Sequence, residues 1–204
     1  MKIENSEKNL KISFKAFKKK VLEDYRLAVL SRECSLLGRR EVFSGKGAFG
    51  IFGDGKELPQ LAMNHFFQNG DYRSGYYRDQ TLLMAQGLLS VSNIFAALYA
   101  DLDRSREPMS GGRQMGGHFT SASRDLNRNW LDVIDLKNHS GDVSPTGSQM
   151  PRLLGLALAS KIYRSHTTKN RENFSNNGNE IAWGTIGNAS TSEGMFFETI
   201  NAAG

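Results

Sequence analysis

Apolar residues in this chain recur first at helical spacing and later in short runs, and the changing period predicts alternating helices and strands. Phe14, Phe17, Val21, Tyr25 and Val29 lie three or four residues apart. That spacing predicts an amphipathic helix over residues 13–37, with lysines on its solvated face and Gly38 as its stop. Residues 44–55 hold five glycines, a loop whose backbone can approach a ligand or another chain closely. A short helix is expected over 57–67, closed by the turn Asn69-Gly70-Asp71. Tyr76-Tyr77 suits a short strand leading into Arg78, and 79–86 reads as a helix ending before Gly87. Ser92 is the expected N-cap of a further helix carrying Ile94, Phe95, Leu98, Tyr99 and Leu102.

From residue 103 to 142 the chain turns polar and irregular, and loops of that length usually line a site or stay mobile. Helical spacing returns over 149–163, with Pro151 tolerated in the first turn, and 164–179 reads as an exposed polar connection. The apolar run Ile181-Ala-Trp-Gly-Thr-Ile186 then predicts a strand, followed by the helix-like stretch 195–203. Helix and strand in alternation, with glycine-rich crossings, predict an α/β fold with a mostly parallel sheet. No internal repeat is visible. The last residues sit in a helix barely begun, and a parallel sheet wants more strands than this pattern supplies. The expectation is a helical segment at 1–40 and an incomplete α/β domain at 41–204, the front of a larger catalytic unit.

Composition narrows the class. A balance of 39% hydrophobic and 23% charged residues is globular, and a chain of this length buries roughly 70% of its unfolded surface without cross-links. No apolar run approaches the ~20 residues of a bilayer crossing, and no apolar secretory segment opens the sequence. The single cysteine, Cys34, excludes an internal disulfide framework and a multi-cysteine metal site, and fits a reducing cytoplasm. Asn188-Ala-Ser190 matches a glycosylation acceptor but carries little weight without an export signal. Seven lysines fall among the first twenty residues, with Phe14 and Phe17 between some of them. A nucleic-acid arm is one reading, but the helical period favours a solvated face. Glu4, Glu7 and the absence of arginine before Arg26 argue against a mitochondrial presequence.

Three polar clusters carry the candidate chemistry. Gly187-Asn-Ala-Ser-Thr-Ser-Glu-Gly194 follows a predicted strand and precedes a predicted helix, where unpaired backbone N–H groups meet a phosphate. Asn188 offers a carbonyl oxygen to a hard cation such as Mg²⁺. The alternative is a small-residue turn with Ser190 or Ser192 as N-cap and Glu193 complementing the helix dipole. Arg78 presents a planar donor fork suited to phosphate, or to an ion pair. Ser144-Pro-Thr-Gly-Ser-Gln-Met-Pro151 offers hydroxyls and an amide to a heteroaromatic edge, or starts a helix. His118 follows Gly116-Gly117, and no metal-spaced partner is found for it among His65, His139 and His166. Gly53-Asp54-Gly55 imitates a diphosphate and metal fingerprint, but positions 81–86 hold no asparagine and a turn is the better reading.

Tyr77-Arg78, Gly112-Arg-Gln-Met115 with His118, the 144–151 cluster and the 187–194 cluster resemble, in that order, the alpha half of thiamin-diphosphate-dependent 2-oxo acid dehydrogenases. The likeness is strongest to the branched-chain decarboxylase component and runs from about Tyr25 onward. The insert 121–139 looks longer than the family's. The resemblance implies a thiamin-diphosphate-binding fold in which Tyr77 and Arg78 contact the cofactor diphosphate. It implies that backbone atoms of Ser144 and Thr146 hold the aminopyrimidine. Asn188 takes the Mg²⁺-ligand position, with Gly187, Ala189 and Ser190 beside the diphosphate. Ser148 and Gln149 match positions that bind a structural K⁺ in some branched-chain members. Asn188 stands where the family usually has an acid, which weakens charge compensation at the metal.

The same resemblance implies oxidative decarboxylation of a 2-oxo acid and acyl transfer to a lipoyl-bearing acyltransferase. It implies a beta half that supplies the activating glutamate, with a second metal asparagine and a catalytic histidine beyond residue 204. No catalytic residue is assigned within the chain. A non-catalytic scaffold that keeps the fold but has an impaired metal site is the competing expectation.

Overall fold

The computed structural model describes residues 12–114, 116–166 and 171–204. Met115, Lys2, Lys8, Lys11, Glu4, Glu7 and the centre of the 164–179 connection lie outside them. The described chain forms six α-helices and three strands: α1 Phe14–Phe43, α2 Glu57–Phe66, β1 Tyr72–Tyr76, α3 Gln80–Ala85, α4 Val91–Leu98, β2 Asn138–Val143, α5 Gln149–Ser165, β3 Ala182–Gly184 and α6 Gly194–Ala203. The strands form one parallel sheet in the order β2-β1-β3. The predicted α/β class with a parallel sheet holds.

Helix α1 starts at the Ser13 cap, whose Oγ accepts the Ala16 amide, and runs straight past Gly38. Gly38 does not stop the helix. A Cβ there would lie 2.3 Å from the Phe52 ring, so the glycine is the seat on which that ring packs. The expected apolar seam is also displaced. Phe14 and Tyr25 are 78% and 67% exposed, while the buried positions are Ser31, Cys34, Ser35 and Gly38. Small residues let α1 approach α3 closely, where Ser31 Oγ meets Thr81 Oγ1 at 2.7 Å. Arg32 forks onto Glu57 at 2.6 and 2.7 Å and fixes α2 against α1.

Other boundaries moved for local reasons. The cap of α4 is Ser90, not Ser92, because Ser90 and Asn93 form a reciprocal capping box. Strand β1 begins four residues before Tyr76 and ends there, leaving Tyr77 outside it. β2 lies inside the stretch expected to be irregular. Its Asn-His-Ser-Gly-Asp-Val sequence lacks strand patterning, and its buried polar groups are satisfied by side-chain bonds such as Asn138 Nδ2 to Val133 O at 2.7 Å. Helix α5 covers one sheet face: Ser74 Oγ donates to Gln149 O at 2.7 Å, and Gln149 Nε2 donates to Thr185 O at 2.8 Å.

On the other face the register sets His139, Arg73 and Trp183 side by side. Phe67 stacks over His139 and Trp183, with centroids 5.5 and 6.0 Å away. The β1–β2 ladder then slips. Ser74 pairs with Ser140 but Tyr76 pairs with Val143, so Gly141 and Asp142 together oppose Gly75. Such bulges redirect side chains, often beside functional sites.

Candidate functional site

Because the sheet is parallel, all three strands end on one edge, the place where open α/β sheets bind ligands. The register sharpens this. The last pairs on that edge are Tyr76 with Val143 and Ser74 with Gly184, after which the three chains leave the sheet toward Tyr77, Ser144 and Thr185. Three clusters separated by dozens of residues thus open onto a common edge. Neighbouring strands lie about 4.8 Å apart, so the exits of three adjacent strands lie within reach of one small ligand.

Arg78 occupies the turn after β1. Its carbonyl accepts from Gln60 Nε2 at 2.8 Å, and Gln60 Oε1 accepts the Leu82 amide at 3.0 Å, so α2 braces the turn from below. Gly53 passes directly over that carbonyl. A Cβ at Gly53 would lie 2.6 Å from Arg78 O, and the close approach expected of the glycine loop is made to this turn. Asp54 itself pairs with Arg39 at 2.6 Å within a turn. The Arg78 guanidinium donates to the Tyr76 hydroxyl at 2.7 Å and lies 5.0 Å from the Tyr77 ring centroid. Burial works against its charge, but the Tyr76 hydrogen bond and Tyr77 outweigh that and hold its pKa above the ordinary value. Among the described residues this half-buried cation forms no ion pair.

Ser144, one residue past β2, shares a 2.5 Å hydrogen bond with His118 Nε2, and the His118 ring lies 5.8 Å from that of Tyr77. Thr146 is exposed. The turn from Pro145 closes when Ser148 Oγ donates to Pro145 O at 2.9 Å, with Gly147 at φ 76°. Gln149 is buried and bridges β1 and β3. Behind Tyr77 and His118 an apolar cavity extends between Phe52, Leu83, Ile94 and Leu98.

The third cluster is built differently from the expectation. β3 stops at Gly184, and a 3-10 helix, Ala189–Ser192, intervenes before α6. Asn188 therefore caps the 3-10 helix, and the cap of α6 is Glu193, without a side-chain bond, rather than Ser190 or Ser192. Asn188 and Ala189 are exposed. The Asn188 carboxamide makes no hydrogen bond among the described residues, while its carbonyl accepts Thr191 Oγ1 at 2.6 Å. The opening amides of such a helix lack intrahelical acceptors. Here Ser190 N donates to Gly187 O at 3.0 Å and Thr191 N to Asn188 O at 3.3 Å, so a guanidinium without an ion pair and an uncommitted carboxamide oxygen are what suit a phosphate-bearing anion with its cation.

Beneath that edge of the sheet lies a group the sequence did not reveal. Arg73 is fully buried and bonds His139, Asp79 and Asp142. Its signal was faint: one arginine in a serine- and glycine-rich strand. His139 is thereby structural. His65 pairs with Asp24 at 2.7 Å, and His166 with Ser165 at 2.8 Å.

The family model of the dehydrogenase E1 component matches residues 25–204, and the chain belongs to that family. Over 184 residues it is 30% identical to the 2-oxoisovalerate dehydrogenase subunit alpha of Bacillus subtilis (strain 168), covering 88% of this chain and 46% of that relative. The chain thus spans about half the length of the curated relative it matches. No described helix is long and apolar enough to cross a membrane.

Proposed function

We propose that the protein to which this chain belongs decarboxylates a 2-oxo acid with thiamin diphosphate and passes the acyl group to a lipoyl-bearing acyltransferase. A beta-type half, on the same or a separate chain, completes the site, and the complex works in the cytoplasm. The observation that supports this reading is the common edge: three parallel strands end on it, ahead of Tyr77, Ser144 and the 187–194 cluster. Bound thiamin diphosphate supplies the electron sink for decarboxylation.

In this reading Arg78 grips the diphosphate, with Tyr77 beside it and Gly187, Ala189 and Ser190 lining the opposite side. Asn188 gives its carboxamide oxygen to Mg²⁺. Backbone atoms of Ser144 and Thr146 orient the aminopyrimidine. His118, bonded to Ser144, sits toward the entrance. Ser148 and Gln149 hold a structural K⁺ through oxygen atoms their present bonds leave open, Gln149 using its amide nitrogen for Thr185.

Titrating thiamin diphosphate into the full-length protein, with and without Mg²⁺, tests the reading. Metal-dependent binding with 2-oxo acid decarboxylation is expected, and Arg78→Met should weaken binding about 10–100-fold, as lost charge-assisted bonds do. The neutral Asn188 favours one competing reading, a scaffold with an impaired metal site. Absence of binding with Mg²⁺ present would establish that scaffold instead.

A further inference from the structure

We infer that Arg73 is a positioning residue of this site, its guanidinium tying the exits of all three strands into one arrangement. The inference rests on reading the strand exits as a cofactor cradle and adds the device that aligns them. Arg73 is the second residue of the central strand and has no exposed surface, so it touches no ligand. Nε donates to His139 Nδ1 at 2.8 Å, Nη2 to Asp142 Oδ1 at 2.7 Å, and Nη1 to Asp79 Oδ2.

Each carboxylate carries the connection onward. Asp79 follows Arg78, accepts the Tyr76 amide at 3.2 Å, and accepts the Thr185 hydroxyl at 2.7 and 2.8 Å. It therefore joins the exit of β1 to that of β3. Although it holds the N-cap position of α3, its side chain does not cap that helix. Asp142 accepts the Phe119 amide at 3.0 Å and joins the exit of β2 to the loop bearing His118. Arg73 is the only cation within ion-pair distance of either carboxylate among the described residues.

Two backbone features serve this arrangement. The β2 bulge sets both Gly141 and Asp142 opposite Gly75. Gly75 leaves open the volume the guanidinium fills, since a Cβ there would lie 1.9 Å from Arg73 Nη1. The guanidinium thus lies between Asp79 and Asp142, which stand at the exits of β1 and β2. A lysine's point charge cannot fork onto three acceptors in this way.

Hydrogen–deuterium exchange and thiamin diphosphate titration with Mg²⁺, both on the full-length protein, test the inference. Asp142→Asn should raise exchange across the sheet at residues 185–189 as well as at 118–120. Thr185→Val, a mild change, should raise it at 118–120 as well as near itself. Arg73→Lys should loosen both segments and weaken thiamin diphosphate affinity about 10–100-fold, the usual range for supporting residues. Exchange that rises only beside each substitution, or unchanged affinity in Arg73→Lys, overturns the inference. If the wild-type protein binds no thiamin diphosphate, the cofactor reading fails, and the cross-strand exchange pattern alone decides the role of Arg73.

Discussion

One buried guanidinium facing two carboxylates leaves an excess of negative charge where water cannot screen it. Burial, helped by the Asp79 charge and opposed by Arg73, pushes the Asp142 carboxyl up to about 6. Burial and the neighbouring Arg73 hold His139 down at about 3. Because Arg73 Nε donates to Nδ1, the His139 proton resides on Nε2, which is buried without a partner among the described residues. The two groups give stability opposite dependences on pH. Asp142 keeps its proton in the fold where the unfolded chain has lost it, so its contribution fades as pH rises from about 4 to 6. His139 refuses a proton that the unfolded chain accepts, so its contribution fades as pH falls from about 6.5 to 3. The trends oppose one another between about pH 4 and 6. Asp142→Asn removes one of them. Between pH 6 and 4 the variant should lose about 1–2 kcal/mol more stability than the wild type. Urea midpoints at the two pH values, followed through tryptophan fluorescence, measure this; parallel losses in both proteins would contradict the assignment.

Helices show how far periodicity alone reaches. The run of α5 from Gln149, with Pro151 in its first turn, was legible from spacing and turn chemistry, as was the parallel α/β class. The packing of α1 was not. Its aromatic stripe has helical spacing, yet the described contacts use serine, cysteine and glycine, because close approach to α3 demands small side chains. Strand β2 was illegible because its stability comes from polar side-chain bonds rather than from alternating apolar residues. Glycine is equally ambiguous in sequence, and the structure separates its uses. In α5 a Cβ at the exposed Gly155 meets no atom within 4 Å, and Gly155→Ala should stabilise by about 0.5–1 kcal/mol. Gly38→Ala should instead cost about 1–3 kcal/mol, since the Phe52 ring must shift. Thermal melts of the two variants should move in opposite directions, and a shared sign would show that Phe52 does not rest on Gly38.

At the scale of the whole molecule, chain order made the three clusters recognisable, while only the parallel register explains why they share one edge. The cost that the resemblance implies for asparagine at position 188 follows from charge. A diphosphate and its divalent cation are held best when anionic protein oxygens offset the metal, and the Asn188 carboxamide offers oxygen without charge. In the proposed site Arg78, the half-buried cation at the same edge, would support the phosphates but repel the metal. In the proposed site Mg²⁺ would therefore depend on the phosphate oxygens for its charge balance, and its affinity should track cofactor occupancy closely. Replacing the amide by a carboxylate uncouples the two. Asn188→Asp should lower the Mg²⁺ concentration needed to retain thiamin diphosphate by about tenfold, a change of about 1.4 kcal/mol. Asn188→Ala should raise it by a similar factor. Titrating Mg²⁺ at fixed thiamin diphosphate in the full-length protein gives both values. If the alanine and aspartate variants match the wild type, Asn188 is not a metal ligand, and the exposed position serves only to cap its 3-10 helix.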